Sequence, residues 1–364
     1  MINQVAAAFD RKDYREAARL LKQLVKESPQ NPGVQLYVGR LHEVTGKTEA
    51  AEKVYRELLR NTTNPKIVTQ ARQGLKRIED KEKETRQQAI AKAKADPNNT
   101  QPGVLILEPM ANEAKTRSAK NFARIMNIDP YKARLLLPSR GWRLYRTGGI
   151  GELQFYSEEL LRAEIPNFCA TLANIEKINV FRVSHFRLIS LQPTVVCYNS
   201  ENQQGLLTFK WSEVSQIILA RLPIFEEVVD HDHLKRLQRK VETQDYIQFC
   251  DLHLINRHSI LRIYDSAYEF QQGVDFDIEG GQTTNRRNWN RLIDHIKSQL
   301  PHAKLLADFT SFAETVLDRP DLLERIPSHI QLLRRSDTNW DPAFQLYSGL
   351  AFLKYLEEDS NFKD

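Results

Sequence analysis

The sequence predicts a multidomain protein, in which N-terminal helical hairpins are followed by a small α+β domain, a strand-rich domain and a helical C-terminal tail. A chain of 364 residues exceeds what one hydrophobic core usually serves, so several domains are expected. Apolar residues follow helical spacing in the first quarter of the chain and strand-like alternation later. The fold class is therefore α followed by α+β.

The first eighty residues repeat themselves at a shift of 34 positions. Both copies share a small residue, a large apolar residue four positions later and another apolar residue after that: Ala17, Leu21 and Leu24, then Ala51, Tyr55 and Leu58. This period and spacing are typical of helix–turn–helix arrays, in which the small residue lets two helices cross closely. The segment is therefore predicted to form stacked helical hairpins.

These positions, together with Pro29, Gly39 and Gly46, resemble the tetratricopeptide repeat (TPR) family. The resemblance implies a groove, lined by the first helix of each hairpin, that binds a peptide or helix of another protein. By the register of the repeat, five residues would face this groove: Leu36, Arg40, Glu43, Gln70 and Arg77. Arginines beside an apolar residue suit an acidic amphipathic ligand, because the guanidinium fork matches a carboxylate.

A long helix up to about residue 95 is predicted to cap the array. It carries charges of alternating sign at helical spacing and an apolar stripe in its first half. Two repeats alone bury little surface, so a third layer is expected. The first domain is therefore predicted to span residues 1–95. Residues 96–103, with two prolines, two asparagines and a glycine, are predicted to be a linker.

Residues 104–174 are predicted to form the small α+β domain in the order βααβαβ. The apolar run at 104–107 indicates a buried strand, and the alternation at 142–146 indicates a half-buried one. Helical spacing fills the segments between them.

Residues 175–302 are rich in β-branched and aromatic residues and are predicted to contain five strands, at 180–191, 194–198, 206–211, 246–255 and 259–264. A charged segment at 230–243 is predicted to be a helical insertion, and 288–300 an amphipathic helix. Meandering strands followed by one helix resemble the pleckstrin-homology-like (PH-like) fold, whose helix plugs a barrel. Residues 303–364 are predicted to form the helical tail.

Composition and cysteine usage predict a cytoplasmic protein. The chain is 41% hydrophobic, which is ordinary for a globular protein, and it lacks both a leader-like N-terminus and a transmembrane segment. Its three cysteines are widely spaced and odd in number, which argues against a disulfide framework. The net charge of +5 permits an anionic partner without requiring one.

Since no nucleophile elbow or zinc-protease motif occurs, the primary prediction is a non-catalytic scaffold or assembly adaptor without a cofactor. Two alternatives stay open. A metal-dependent enzyme would use histidines between His231 and His258, because His-x-His on a strand points both rings to one side. A nucleic-acid- or ribosome-associated protein would use basic faces, such as the alternating aromatic and basic residues at 142–146.

Overall fold

The computed structural model describes residues 1–189, 192–231, 237–274, 284–332 and 338–361. The chain divides into two compact units, residues 1–92 and residues 93–364. All regular structure in the first unit is helical, and the second unit contains two β-sheets. The finer domain boundaries expected at residues 103, 174 and 302 fall within the second unit and stay predictions.

The first unit consists of two helical hairpins and most of a long fifth helix. The helices are α1 (Ile2–Asp10), α2 (Tyr14–Glu27), α3 (Pro32–Val44), α4 (Thr48–Asn61) and α5 (Pro65–Ala95). The side chains of Asp13 and Asn31 accept hydrogen bonds from backbone N–H groups in the first turns of α2 and α3, which fixes where these helices begin. Gly46, at φ +78°, supplies the left-handed turn that separates α3 from α4.

The repeated apolar positions form the core of this unit, as the sequence predicted. Ala17 and Ala51 are fully buried where the helices of each hairpin cross, and Tyr55 is fully buried as well. Ala71 and Ile78 of α5 join the same cluster as Tyr55. The first half of α5 therefore supplies the third helical layer.

The second unit begins with a three-stranded antiparallel sheet and three helices. Its elements are β1 (Pro102–Leu107), α6 (Asn112–Met126), α7 (Pro130–Leu136), β2 (Arg143–Gly149), α8 (Ile150–Arg162) and β3 (Asn167–Thr171), with strand order β2-β1-β3. The predicted order βααβαβ is confirmed. Leu105 and Leu107 pack with the helices on one face, whereas Val104 and Ile106 belong to a different core. Because β1 begins at Pro102, the last two residues of the expected linker lie in the sheet.

A seven-stranded mixed sheet follows, after the short helix α9 (Leu172–Glu176). Its strands are β4 (Asn179–Leu188), β5 (Thr194–Tyr198), β6 (Gln204–Thr208), β7 (Gln216–His231), β8 (Leu237–Leu254), β9 (Ser259–Tyr264) and β10 (Lys304–Leu306), in the order β10-β7-β8-β9-β4-β5-β6. In the described part of the chain β6 and β10 are edges, so no closed barrel is seen. The PH-like resemblance is unconfirmed.

The helical insertion expected at 230–243 is wrong for the residues that the structure describes. Asp230 and His231 end β7, and the described residues from Leu237 onwards extend β8, which pairs antiparallel with β7. Charges spaced along an exposed segment suit a solvated ribbon as well as a solvated helix, and backbone pairing decides between them. The sequence analysis also missed β7, which contains Pro223. Beyond Ile218 no described strand pairs with its outer edge, where a missing N–H costs least.

Four further helices complete the second unit: α10 (Asn285–Gln299), α11 (Phe309–Ala313), α12 (Pro320–Leu323) and α13 (Trp340–Asn361). The predicted amphipathic face of α10 is confirmed, since Trp289, Leu292 and Ile296 pack against the large sheet. In α13 every residue from 343 to 352 is buried, so this helix has no exposed side along that stretch. The last helix packs on β7, β3 and α9 and is therefore a core element.

Candidate functional site

A row of interacting side chains crosses α1, α3 and α5, the first helix of each layer in the N-terminal unit. We call Phe9, Arg40, Glu43 and Arg77 the groove row. The Arg40 guanidinium carbon lies 4.9 Å from the centre of the Phe9 ring, and therefore links α3 to α1. A stacked guanidinium is held by a cation–π interaction while its N–H groups stay available to other acceptors.

Glu43, which is also on α3, connects the row to Arg77 on α5. Its Oε1 accepts from Arg77 Nε at 2.7 Å and its Oε2 accepts from Arg77 Nη2 at 2.9 Å, which makes the pair bidentate. Tyr55 Oη donates to Glu43 Oε2 at 2.8 Å. Burial raises the pKa of the Glu43 carboxyl, but the hydrogen bonds from Arg77 and Tyr55 outweigh it and the pKa falls below its usual range. Glu43 is therefore ionised at neutral pH and connects α3 to α4 and α5.

The Tyr55 ring fills a slot between two glycines. A Cβ added at Gly39 would lie 2.6 Å from Tyr55 Cε1, and one added at Gly74 would lie 2.4 Å from Cε2. Both distances are far below van der Waals contact, so only glycine fits on either side of the ring. The two glycines and the aromatic ring fix the spacing of α3, α4 and α5. The sequence analysis missed Gly74, although a lone glycine inside a charged helix is itself a signal of close approach.

The structure brings some of the predicted groove residues together and separates another from them. Arg40, Glu43 and Arg77 are neighbours in the groove row, and Gln70 lies exposed two turns before Arg77 on the same side of α5. Leu36 is only 4% exposed and packs in the core around Tyr55. A ligand contact by these five residues stays a prediction, and the burial of Leu36 assigns it first to stability.

A buried polar network lies in the second unit, where β8, β9 and α13 meet. Asp251, His253, Arg262 and Ser348 have no exposed surface. Arg262 donates from Nε to Asp251 Oδ1 at 3.0 Å and from Nη2 to Oδ2 at 2.7 Å. Ser348 Oγ donates to the same Oδ2 at 2.6 Å. The three residue types serine, histidine and aspartate thus occur together, which requires a test of whether they can act as a catalytic triad.

Their order of hydrogen bonds differs from that of a triad. The hydroxyl of Ser348 lies between the carboxylate and the imidazole, and its one proton goes to Asp251. His253 therefore donates from Nε2 to Ser348 Oγ, at 3.0 Å, and Nδ1 finds no hydrogen-bond partner among the described residues. Burial lowers the pKa of His253 to about 4, so the ring is neutral at pH 7. Because the imidazole donates to the serine and all four side chains are fully buried, the described geometry does not match that of a catalytic triad.

The histidines proposed for a metal site are not gathered by the described structure. His253 belongs to the buried network, and His258 lies in a left-handed turn beside Phe352. No group of three or more metal-binding side chains occurs among the described residues. His233, another histidine of this range, lies outside the described residues. In the described part of the chain, no helix has the length and apolar character needed to cross a membrane.

Comparison with known proteins bears on the N-terminal unit. A family model described as tetratricopeptide repeat matches residues 8–69. The match runs from the end of α1 to the first turn of α5, and it confirms the resemblance that the repeated positions predicted. No curated protein and no solved structure matches the chain.

Proposed function

We propose that this protein, whose residues 8–69 form a tetratricopeptide-repeat region, is a non-catalytic scaffold or adaptor that binds a peptide or helix of another protein. The binding surface is the face formed by α1, α3 and α5. The protein acts in the cytoplasm, in keeping with its three free cysteines. The observation that carries the proposal is the groove row, which places two arginines on neighbouring first helices.

The groove row offers hydrogen-bond donors in fixed positions. Arg77 uses Nε and Nη2 on Glu43, which leaves the protons of Nη1 for another acceptor. Arg40 is oriented by the rings of Phe9 and Tyr37 beneath it. Holding both guanidinium groups before a ligand arrives lowers the ordering entropy that binding requires.

The charge of the row favours an acidic ligand. Arg40 and Arg77 carry two positive charges, and Glu43 offsets one of them, so one positive charge is left over. A carboxylate that accepts from both arginines neutralises this excess and gains charge-assisted hydrogen bonds. Gln70 adds an exposed amide on the same side of α5, which can pair with a backbone group of an extended or helical segment.

Affinity capture from the native cell tests this proposal. The variant Arg40→Glu with Arg77→Glu reverses both charges, and the control Arg72→Glu with Lys76→Glu makes the same charge change at positions about 140° and 100° around α5 from Arg77. Arg72 and Lys76 are exposed. We expect the groove variant to lose the main partner and the control to retain it.

Circular dichroism and hydrogen exchange are used to check that the groove variant is folded, because Arg77→Glu breaks the pair with Glu43. If the folded groove variant recovers the same partners in the same amounts as the wild type, the groove is not the binding surface. Loss of the partner from both variants would point to general electrostatic attraction instead.

A further inference from the structure

The positive charge of the chain is concentrated in one segment of the second unit. Residues 112–146 contain nine basic and two acidic residues, whereas the whole chain has a formal net charge of only +5. This segment comprises α6, α7 and the start of β2; α6 packs against α7, and Phe122 of α6 contacts Tyr145 of β2. A local field of one sign attracts polyanions and raises their association rate, even when the protein as a whole is nearly neutral.

The helix α7 presents an aromatic ring between cations. Ala133 is fully buried and marks the inner side of the helix. Tyr131 and Leu135, which are 72% and 62% exposed, lie on the opposite side. By helical geometry Lys132 and Arg134 flank this pair, one on each side. The outer face of α7 thus presents an exposed tyrosine between two cationic side chains.

Two further cations extend this face towards α6. Lys115 donates to the hydroxyl of Ser139, in the loop between α7 and β2 that also contains Arg140. Burial and the charge of Arg134 both lower the pKa of Lys115. We call Lys115, Tyr131, Lys132, Arg134 and Arg140 the basic surface.

Carboxylates do not neutralise this surface. No ion pair involves Lys132, Arg134 or Arg140 among the residues that the structure describes. Asp129, the acid nearest in sequence, accepts hydrogen bonds from the backbone N–H groups of Tyr131 and Lys132 and so caps α7. Like charges without carboxylate partners repel one another, and an anionic ligand relieves that repulsion.

We propose that the basic surface binds single-stranded nucleic acid, with Tyr131 stacking on a base and the surrounding cations contacting backbone phosphates. Alternating cations and an exposed aromatic ring are the features with which proteins bind single strands independently of sequence. An anionic membrane fits less well, because the exposed apolar part consists of one turn with Tyr131 and Leu135, and interfacial helices bury a far larger apolar face. This inference is independent of the groove in the N-terminal unit.

The residue proposed here to stack on a base differs from the one that the sequence alone suggested. Trp142, the stacking candidate in the sequence, is half-buried and packs against Phe168 and Tyr347 at the edge of the core. Arg146 pairs with Glu152. The exposed ring is Tyr131, eleven positions earlier.

Fluorescence anisotropy with the full chain tests the proposal. The probes are a labelled oligouridine and the matching oligodeoxythymidine of about twenty nucleotides, a length that covers the site size of a typical single-strand-binding fold. Lys132→Glu with Arg134→Glu is compared with the control Lys22→Glu with Lys26→Glu, which makes the same charge change at exposed positions of α2.

We expect the surface variant to bind at least about tenfold more weakly, and its salt dependence to fall by about 1.4 in slope for two lost phosphate contacts. The control should bind as the wild type does. Tyr131→Ala should weaken binding about fivefold or more while leaving the salt slope unchanged, because stacking releases no counterions. The ratio between the two probes shows whether RNA or DNA is preferred.

Photocrosslinking with the wild-type chain gives a test that does not depend on whether the variants fold. Oligouridine that contains 4-thiouridine should crosslink on irradiation to a peptide that includes Tyr131. Equal nucleic-acid affinity of the surface variant and the wild type would overturn the proposal, as would crosslinking confined to other peptides. Tight binding to phosphatidylserine vesicles or polyglutamate, together with no binding of either oligonucleotide, would overturn it in favour of a membrane or an acidic protein.

Discussion

Replacement of Gly74 by alanine tests the packing that spaces the helices of the groove. In an exposed helix this change is stabilising by about 1 kcal/mol, because alanine loses less backbone entropy than glycine. Here the new methyl group would lie 2.4 Å from Tyr55 Cε2, so the ring must retreat by about 1 Å to reach ordinary contact. It cannot do so freely, since the opposite edge of the ring lies against Gly39 and its hydroxyl is bound to Glu43.

The expected effect of Gly74→Ala is therefore a net destabilisation of about 2 kcal/mol, from overpacking that exceeds the gain in helix propensity. Tyr55→Leu removes the ring, and leucine is the residue at the equivalent position of the first repeat, Leu21. In that background Gly74→Ala should stabilise the unit by about 1 kcal/mol. The two residues are thus expected to be coupled by about 3 kcal/mol, as contacting core residues can be.

Native-state hydrogen exchange of the full chain measures this coupling. Buried amides of α4 and α5 report the opening of the N-terminal unit, and a tenfold change in exchange rate corresponds to about 1.4 kcal/mol. The control is Gly33→Ala, in the first turn of α3, where the added methyl group would meet the flexible end of Ile2. If Gly74→Ala slows exchange in the wild-type background, the Tyr55 ring is not clamped between the two glycines.

Three further outcomes are expected. Ala51→Leu should destabilise the N-terminal unit by about 1–3 kcal/mol, because Ala51 is fully buried at the α3–α4 crossing; unchanged exchange in α4 would show that the register is wrong. Leu36→Ala should destabilise it by about 2–5 kcal/mol; loss of partner binding at unchanged stability would instead make Leu36 a ligand contact. Acidification from pH 6.5 to 4 should destabilise the second unit, because an unfolded chain protonates His253 near 6.5 and the folded chain only near 4. His253→Gln should remove roughly 3 kcal/mol of that pH dependence in unfolding monitored at each pH, and an unchanged dependence would show that His253 is not the group responsible.

Sequence patterns predicted the helices and strands whose apolar contacts recur at a regular spacing along the chain. The small and large apolar positions around Ala17 and Ala51 locate the hairpins, because each contact recurs at a fixed spacing. The strands at 194–198 and 259–264 agree with β5 and β9 to the residue, since strands rich in β-branched residues between polar turns have a clear signature.

Long-range packing was not predictable in the same way. The burial of α13 on all sides depends on β7, β3 and α9, which are distant in sequence. The clamp on Tyr55 depends on two glycines that lie on separate helices, Gly39 and Gly74. Arg40 and Arg77 were identified as groove residues from the register, but only the structure shows that Glu43 joins Arg77.

The burial of Leu36 has a similar cause. Register places it on a first helix, and the direction of its side chain is set by how α3 packs against Tyr55 and α5. A helical position alone does not separate the groove side from the core side when the two are adjacent on the helix. The structure therefore places the polar residues Arg40, Glu43 and Arg77 in one row and Leu36 in the core, and ligand contact by any of them stays a prediction.

Site-specific photocrosslinking tests the central claim, that the groove of the N-terminal unit binds a partner protein, most directly. A photoreactive residue is placed at Gln70, which is exposed on the same side of α5 as Arg77, or at Lys76, which is exposed about 120° around the helix from Gln70. The account predicts that, after irradiation in the native cell, Gln70 yields a crosslinked partner and that the site maps to an acidic segment. Lys76 should yield none. Crosslinks to the same partner from Lys76 and none from Gln70 would contradict the account.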